Sequence, residues 1–230
     1  MPDPNHIWLK EEKLVFALPC KNANTSVKLA ILKHLGKSFP LPNQPPQYGV
    51  HQADLFTYID LKDTPDDCKV IGVMREPWDR LQSQYMFARN GKVDFAYWIR
   101  DVAHRPDYEV DQHVRSQFWD LTVEGKFYPH LVLYVDDLAN DWAAFEHLVH
   151  WDAVGISHAN TLEENGIVRW KPGDLSDESR KAIISRYGHD YFLYRAVQHL
   201  KASRVWGSVS AIKEWVEQGE LSAMDTDGVH

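Results

Sequence analysis

Residues 13–36, "KLVFALPCKNANTSVKLAILKHLG", join two different hydrophobic patterns through a short polar stretch. The first six, "KLVFAL", form a brief, continuous apolar run of the length expected for a buried strand. Beyond the polar stretch, Val27, Ala30, Ile31, His34 and Leu35 recur at the spacing of one helix face, and Gly36 supplies a stop. Strand, turn and helix in that order make up the repeating unit of parallel α/β sheets.

The turn between them has the makings of an anion site. Backbone N–H groups converge where a strand gives way to a helix, and the helix dipole adds roughly half a positive charge there. Thr25 and Ser26 place two hydroxyls at the helix start, and Lys21 adds a full charge on a flexible arm. With Asn22, Ala23 and Asn24 between them, these residues form a candidate phosphate-binding loop that contains no glycine. The hydroxyls alone fit equally well a helix start that merely satisfies its own backbone. A Walker loop would need G-x-x-x-x-G-K-[ST], with the lysine directly before the hydroxyl residue. Here the lysine precedes Thr25 by four residues and both glycines are missing, which argues against an ATP or GTP hydrolase.

The same alternation continues downstream. "KVIGVM" (69–74) and "HLVLYV" (130–135) read as two further buried strands. A helix is expected after the first, with Pro77 in its opening turn and Gly91 at its exit, and another over "DDLANDWAAFEHLVHWD" (136–152). From Ser176, a candidate N-cap followed by Asp177 and Glu178, the chain reads as helical almost to its end, with Ser208 as a second cap. Residues 38–49 carry four prolines and read as a connecting loop. The whole predicts an α/β fold with a mainly parallel sheet, in one domain over 1–220 and a flexible tail over 221–230. Ligands in such sheets bind beyond the carboxyl ends of the strands.

Composition narrows the function classes. The chain has 230 residues, enough for one sizeable core, and a formal net charge of −8. That balance argues against general nucleic-acid binding, though not against one basic pocket for a small anion. Two cysteines, Cys20 and Cys68, give no disulfide framework and no metal-ligand spacing. No signal peptide or membrane anchor is visible at the N-terminus, so the cytoplasm is the expected location.

The order Lys-Asn-Ala-Asn-Thr-Ser resembles the 5′-phosphosulfate-binding loop of sulfotransferases, most closely the carbohydrate enzymes of the heparan and chondroitin type, whose loop reads roughly P-K-x-A-x-T-S. This chain departs by one inserted residue, Cys20, between Pro19 and Lys21. A second match is longer. The 3′-phosphate motif of that family, R-[DE]-P-x-x-R-x-x-S-x-Y, is met in register by Arg75, Glu76, Pro77, Arg80, Ser83 and Tyr85 of "VMREPWDRLQSQY". Arg75 offers a rigid fork suited to a phosphate monoester, and Ser83 lies about 9 Å along the helix from Pro77. "DQHVRSQFW" (111–119) is similar to a D-x-H-x-x-x-Q segment of the same enzymes, and the C-terminal block also resembles theirs.

The resemblance implies a P-loop-like three-layer sandwich with the sheet between helices. It implies 3′-phosphoadenosine 5′-phosphosulfate (PAPS) as donor, without a metal, and an acceptor hydroxyl or amine on a carbohydrate or small molecule. Lys21, Asn22, Ala23, Asn24, Thr25, Ser26, Arg75 and Ser83 would bind the donor, with Lys21 also meeting the charge on the leaving phosphate. His51 in "YGVHQADL" is the candidate general base, His113 the second candidate, and Asp54 a possible orienting carboxylate. The loop around His158, Asn160 and Thr161 would cover the nucleotide. Trp98, Tyr108 and Trp119 are candidate acceptor contacts, whereas His147 and His150 lack a third ligand for zinc. Two other readings stand beside this one: a nucleotide-dependent kinase of related fold, and a nucleotide-binding module without activity.

Overall fold

A computed structural model describes residues 3–37, 50, 55–89, 94–156 and 175–202. Its centre is a four-stranded sheet of β1 (His6–Leu9), β2 (Leu14–Ala17), β3 (Lys69–Met74) and β6 (Leu131–Tyr134), in the order β1-β2-β3-β6. β2 pairs parallel with β3 from Leu14↔Lys69 to Ala17↔Gly72, and β3 parallel with β6 from Ile71↔Leu131 to Met74↔Tyr134. The three apolar runs thus form the parallel part of the sheet, as their sequence predicts. β1 adds an antiparallel edge, His6↔Ala17 to Leu9↔Leu14, and is itself covered by 57–59 through Trp8 N–H to Thr57 O (2.8 Å) and Ile59 N–H to His6 O (3.1 Å).

Six α-helices accompany the strands among the described residues: α1 (Asn24–His34), α2 (Pro77–Arg89), α3 (Phe95–Ala103), α4 (Gln117–Leu121), α5 (Leu138–Leu148) and α6 (Asp177–Ala202). A small hairpin, β4 (Thr122–Val123) and β5 (Lys126–Phe127), follows α4. Alternation along β2 divides the core in two. Leu14, Phe16 and Leu18 face Val27 and Ile31 of α1 and Trp142 and Phe145 of α5, while Val15 and Ala17 face Leu193 and Val197 of α6. Helices therefore flank both faces of a mostly parallel sheet. A third cluster, with Trp78, Tyr85, Phe95, Trp98, Ile99 and Tyr187, packs α2 and α3 against α6.

Local signals explain the boundaries. Gly36 adopts φ +63° just past α1, and Lys37 N–H closes back on Leu32 O at 2.9 Å, a glycine-dependent helix stop. Ser176 Oγ accepts from Ser179 N–H at 3.2 Å and caps α6 as expected. Gly72 on β3 is required by a close approach, since a Cβ there would sit 2.8 Å from Pro129 Cγ. The buried Glu146 carboxylate accepts from Trp142 Nε1–H, Val154 N–H and Gly155 N–H at 2.7–3.1 Å, and so pins residues 154–155 beside α5. His34 stacks on Trp151 with ring centres 3.6 Å apart. Among the described residues no helix is long and apolar enough to cross a membrane.

His51, Asp54, His158, Asn160, Thr161, the cap at Ser208, the proline-rich loop 38–49 and the tail 221–230 lie outside the described residues.

Candidate functional site

The loop between β2 and α1 turns without glycine by placing two ordinary residues in the left-handed region. Lys21 has φ +70° and Ala23 φ +53°, ψ +26°. Each such residue costs about 1–2 kcal/mol relative to a right-handed conformation. Amide side chains offset that cost. Asn22, fully buried between the two, donates through Nδ2 to Val73 O at 2.7 Å and to Gln117 Oε1 at 2.6 Å. Asn24 Nδ2 donates to Leu18 O at 2.9 Å and to Asn5 Oδ1 at 3.2 Å. Burial alternates accordingly: Asn22, Asn24 and Ser26 are buried, while Lys21, Ala23 and Thr25 are partly open. The two asparagines expected among the ligand-binding residues thus turn their side chains inward and shape the loop.

Left-handed residues just ahead of a helix can turn successive backbone N–H groups into a concavity suited to an anion. α1 strengthens it. Its N-cap, Ala23, provides no side-chain cap, and no acidic residue occupies its first turn. The inserted Cys20 faces inward, with its thiol 3.5 Å from Asn5 Oδ1, and burial pushes that thiol up to about 12. The insertion therefore leaves Lys21 on the open side of the loop.

Lys21 is unusually acidic for a lysine. Burial lowers it to about 8, Cys20 opposes, and the charges of Arg75 and Arg80 push the same way as burial. Lys28, one turn into α1, was not foreseen: it is almost fully buried and also lowered to about 8 by burial. Its ammonium donates to Pro4 O at 3.3 Å and lies 5.8 Å and 5.6 Å from the Phe56 and Tyr58 ring centres.

The second motif meets the first. Arg75 leaves the carboxyl end of β3, and its Nη1 donates to Lys21 O at 3.2 Å. The two motifs, separated by about fifty residues in sequence, thus share one place beyond the strand ends. Ser83 is buried on α2. Glu76 Oε2 accepts from Asp79 N–H at 2.7 Å at the start of that helix, and burial raises its carboxyl above the usual range. Arg80, to which sequence assigned no role, is buried and supports the loop from beneath. Its Nε donates to Cys20 O at 3.0 Å, its Nη1 donates to Arg115 O at 2.7 Å, and Asp190 faces it at 4.0 Å.

Around this floor lies a second buried acid. Neither carboxylate oxygen of Asp120 has a hydrogen-bond partner among the described residues. Burial raises its pKa to about 8, with Asp3 and Asp190 pushing the same way and Arg80 and Arg115 opposing. The unfolded chain releases this proton near pH 4 while the folded chain holds it to about 8, so the group costs stability as pH rises across that window. Asp120→Asn should therefore raise the melting temperature by several degrees at pH 8 and hardly at all at pH 4. Equal gains at both pH values, measured by thermal denaturation, would contradict this account.

Other candidates fare unevenly. His113 Nδ1 pairs with Asp111 Oδ1 at 2.6 Å, so a carboxylate orients this imidazole. Trp98 is no acceptor contact: it is 2% exposed in the α2–α3–α6 cluster, because Phe95, Trp98, Ile99 and Val102 form the apolar face of α3. Tyr108 and Trp119 are 68% and 47% exposed, as is Tyr97 at 63%. His147 and His150 are exposed, and among the described residues no group of three or more His, Cys, Asp or Glu is placed to hold a metal. Beside Ser26 a groove of about 280 Å³ runs between α1 and 154–156, lined by Leu29, Ala30, Lys33, Val154 and Ile156. Lys33 Nζ donates to Val154 O across it.

No protein-family model, curated protein or solved structure matches the chain.

Proposed function

We propose that the protein is a sulfotransferase that takes a sulfuryl group from PAPS and gives it to an acceptor hydroxyl, on a carbohydrate or a small molecule. The observation that carries this reading is the bond from Arg75 to the Lys21 carbonyl, which unites a loop suited to a 5′-phosphate with an arginine suited to a 3′-phosphate. The donor set fits the group: uncapped backbone N–H groups, a partly buried ammonium, two hydroxyls and a guanidinium suit a phosphate ester and require no metal.

When bound, the donor supplies an activated sulfuryl group on a phosphosulfate linkage. The loop N–H groups with Thr25 and Ser26 hold the 5′-phosphate in place, and Arg75 and Ser83 take the 3′-phosphate. Lys21 neutralises charge on the leaving phosphate oxygen, where a partly water-excluded ammonium acts more strongly than in bulk water. With a pKa of about 8 it is mostly protonated at pH 7. The groove beside Ser26 offers apolar walls to the base. His51 removes the acceptor proton, and His113, whose imidazole is oriented by Asp111, is the second candidate for that step. Tyr108 and Trp119 offer exposed rings to an acceptor sugar.

The test is transfer of labelled sulfate from PAPS to a panel of glycans and alcohols, with binding of adenosine 3′,5′-bisphosphate measured in parallel. Transfer, abolished in His51→Ala and retained in His113→Ala, is the expected result. Binding without transfer to any acceptor favours the silent module. Magnesium-dependent ATP turnover favours the kinase, against which the missing Walker glycines already count.

A further inference from the structure

Gln117 stands apart from every residue discussed so far, because its side chain bonds to both halves of the proposed site at once. It is fully buried as the first residue of α4. Its Oε1 accepts from Asn22 Nδ2 at 2.6 Å and from Arg75 N–H at 3.0 Å, and its Nε2 donates to Arg75 O at 3.0 Å. On the loop side, Asn22 lies between the two left-handed residues, so its position fixes theirs. On the strand side, both backbone groups of Arg75 are gripped. The glutamine is itself anchored from α6: Asp190 accepts from Gln117 N–H at 2.9 Å and from Phe118 N–H at 2.8 Å. A neighbouring hydroxyl finishes the support, with Ser116 Oγ accepting from Trp119 N–H at 3.0 Å.

We infer that Gln117 is a positioning residue that sets the spacing between the 5′-phosphate loop and Arg75, and thereby selects a nucleoside phosphorylated at both the 3′ and 5′ positions over one phosphorylated at either alone. This inference rests on the functional reading above. A ligand held at two points gains most when the receptor keeps those points at the ligand's own separation, since no binding energy is then lost in ordering them. Removing the amide spares the donors at each anchor: Lys21, Thr25 and Ser26 on one side, the guanidinium on the other. What changes is how firmly the distance between them is held, since the bonds from Arg75 to Lys21 O and from Asn22 to Val73 O then hold it without the amide. A ligand that needs one anchor is then little affected, while one that needs both is penalised.

Calorimetric titration with adenosine 3′,5′-bisphosphate, adenosine 5′-monophosphate and adenosine 3′-monophosphate tests this on wild type, Gln117→Met and Gln117→Glu. In Gln117→Met the bisphosphate is expected to bind about tenfold or more weakly, with each monophosphate changed by less than about threefold. Gln117→Glu keeps the acceptor shared by Asn22 and Arg75 N–H but sets an oxygen against Arg75 O in place of the donor, and should restore only part of the lost preference. If Gln117→Met does not fold, Gln117→Asn keeps a buried amide that is too short to bridge Asn22 and Arg75 and should give the same selective loss. A uniform loss for all three nucleotides, or no loss, overturns the positioning role while leaving the sulfotransferase reading intact. A wild-type protein that binds none of the three overturns both.

Discussion

Lys21→Met is expected to reduce sulfuryl transfer by about two to three orders of magnitude while the fold keeps or gains stability. The two effects have one origin. The ammonium is held mostly out of water beside two arginines, and its pKa falls from 10.5 to about 8. Folding therefore disfavours the charged form. Below pH 8 the lysine is charged in both folded and unfolded chains and the penalty is present in full; it is relieved only as pH rises from about 8 toward the unfolded value. Methionine removes that penalty at neutral pH and fills similar volume. The cost falls on function, as often at sites strained for activity. A second readout separates the roles: wild-type affinity for adenosine 3′,5′-bisphosphate should weaken above about pH 8, as the ammonium loses its proton, and the slope should vanish in Lys21→Met. A melting temperature lowered by several degrees at pH 7 would make Lys21 a structural residue instead.

The largest loss of stability is expected at Asp190→Ala, about 3–5 kcal/mol or a fall of roughly 10 °C in melting temperature. Asp190 is buried, and burial raises its carboxyl, with Arg80 and the Phe118 and Gln117 N–H groups opposing. Alanine would leave the Arg80 guanidinium facing no carboxylate at that point and strip two buried N–H groups of their acceptor. Asp190→Asn keeps an acceptor oxygen and should cost clearly less. Chemical denaturation with urea gives both values directly, and equal effects for the two variants would show that the loss lies in the charge facing Arg80 and that the acceptor for the Gln117 and Phe118 N–H groups is immaterial.

How much of this was legible in the sequence follows from the reach of each signal. The parallel strands were legible because continuous apolar runs need no partner to be recognised. β1 was not, since "HIWL" is short and begins with a histidine whose burial, with Nε2 3.2 Å from Asp120 O, depends on residues far along the chain. The face of α3 was written in the spacing of Phe95, Trp98, Ile99 and Val102, yet Trp98 read as a ligand contact because an aromatic residue alone does not reveal which side it faces. The meeting of Lys21 with Arg75 was foreseen only through the paired motifs. The roles of Arg80 and Gln117 were not, because their partners lie as far as 95 positions away in the chain. Lys28 gave no signal at all: a cation between Val27 and Leu29 on a helix is ordinarily a solvated one.

The turn after β2 has a further consequence for the proposed capture of a nucleotide. A chain that relies on glycine for sharp bends begins with wide backbone freedom and must surrender it, whereas lysine, asparagine and alanine begin with less to surrender. Crosslinked through Asn22 to β3 and to Gln117 of α4, this turn is stiff before any visitor arrives. Capture therefore resembles a key meeting a finished lock, and the entropy that a wandering lid would forfeit is never at stake.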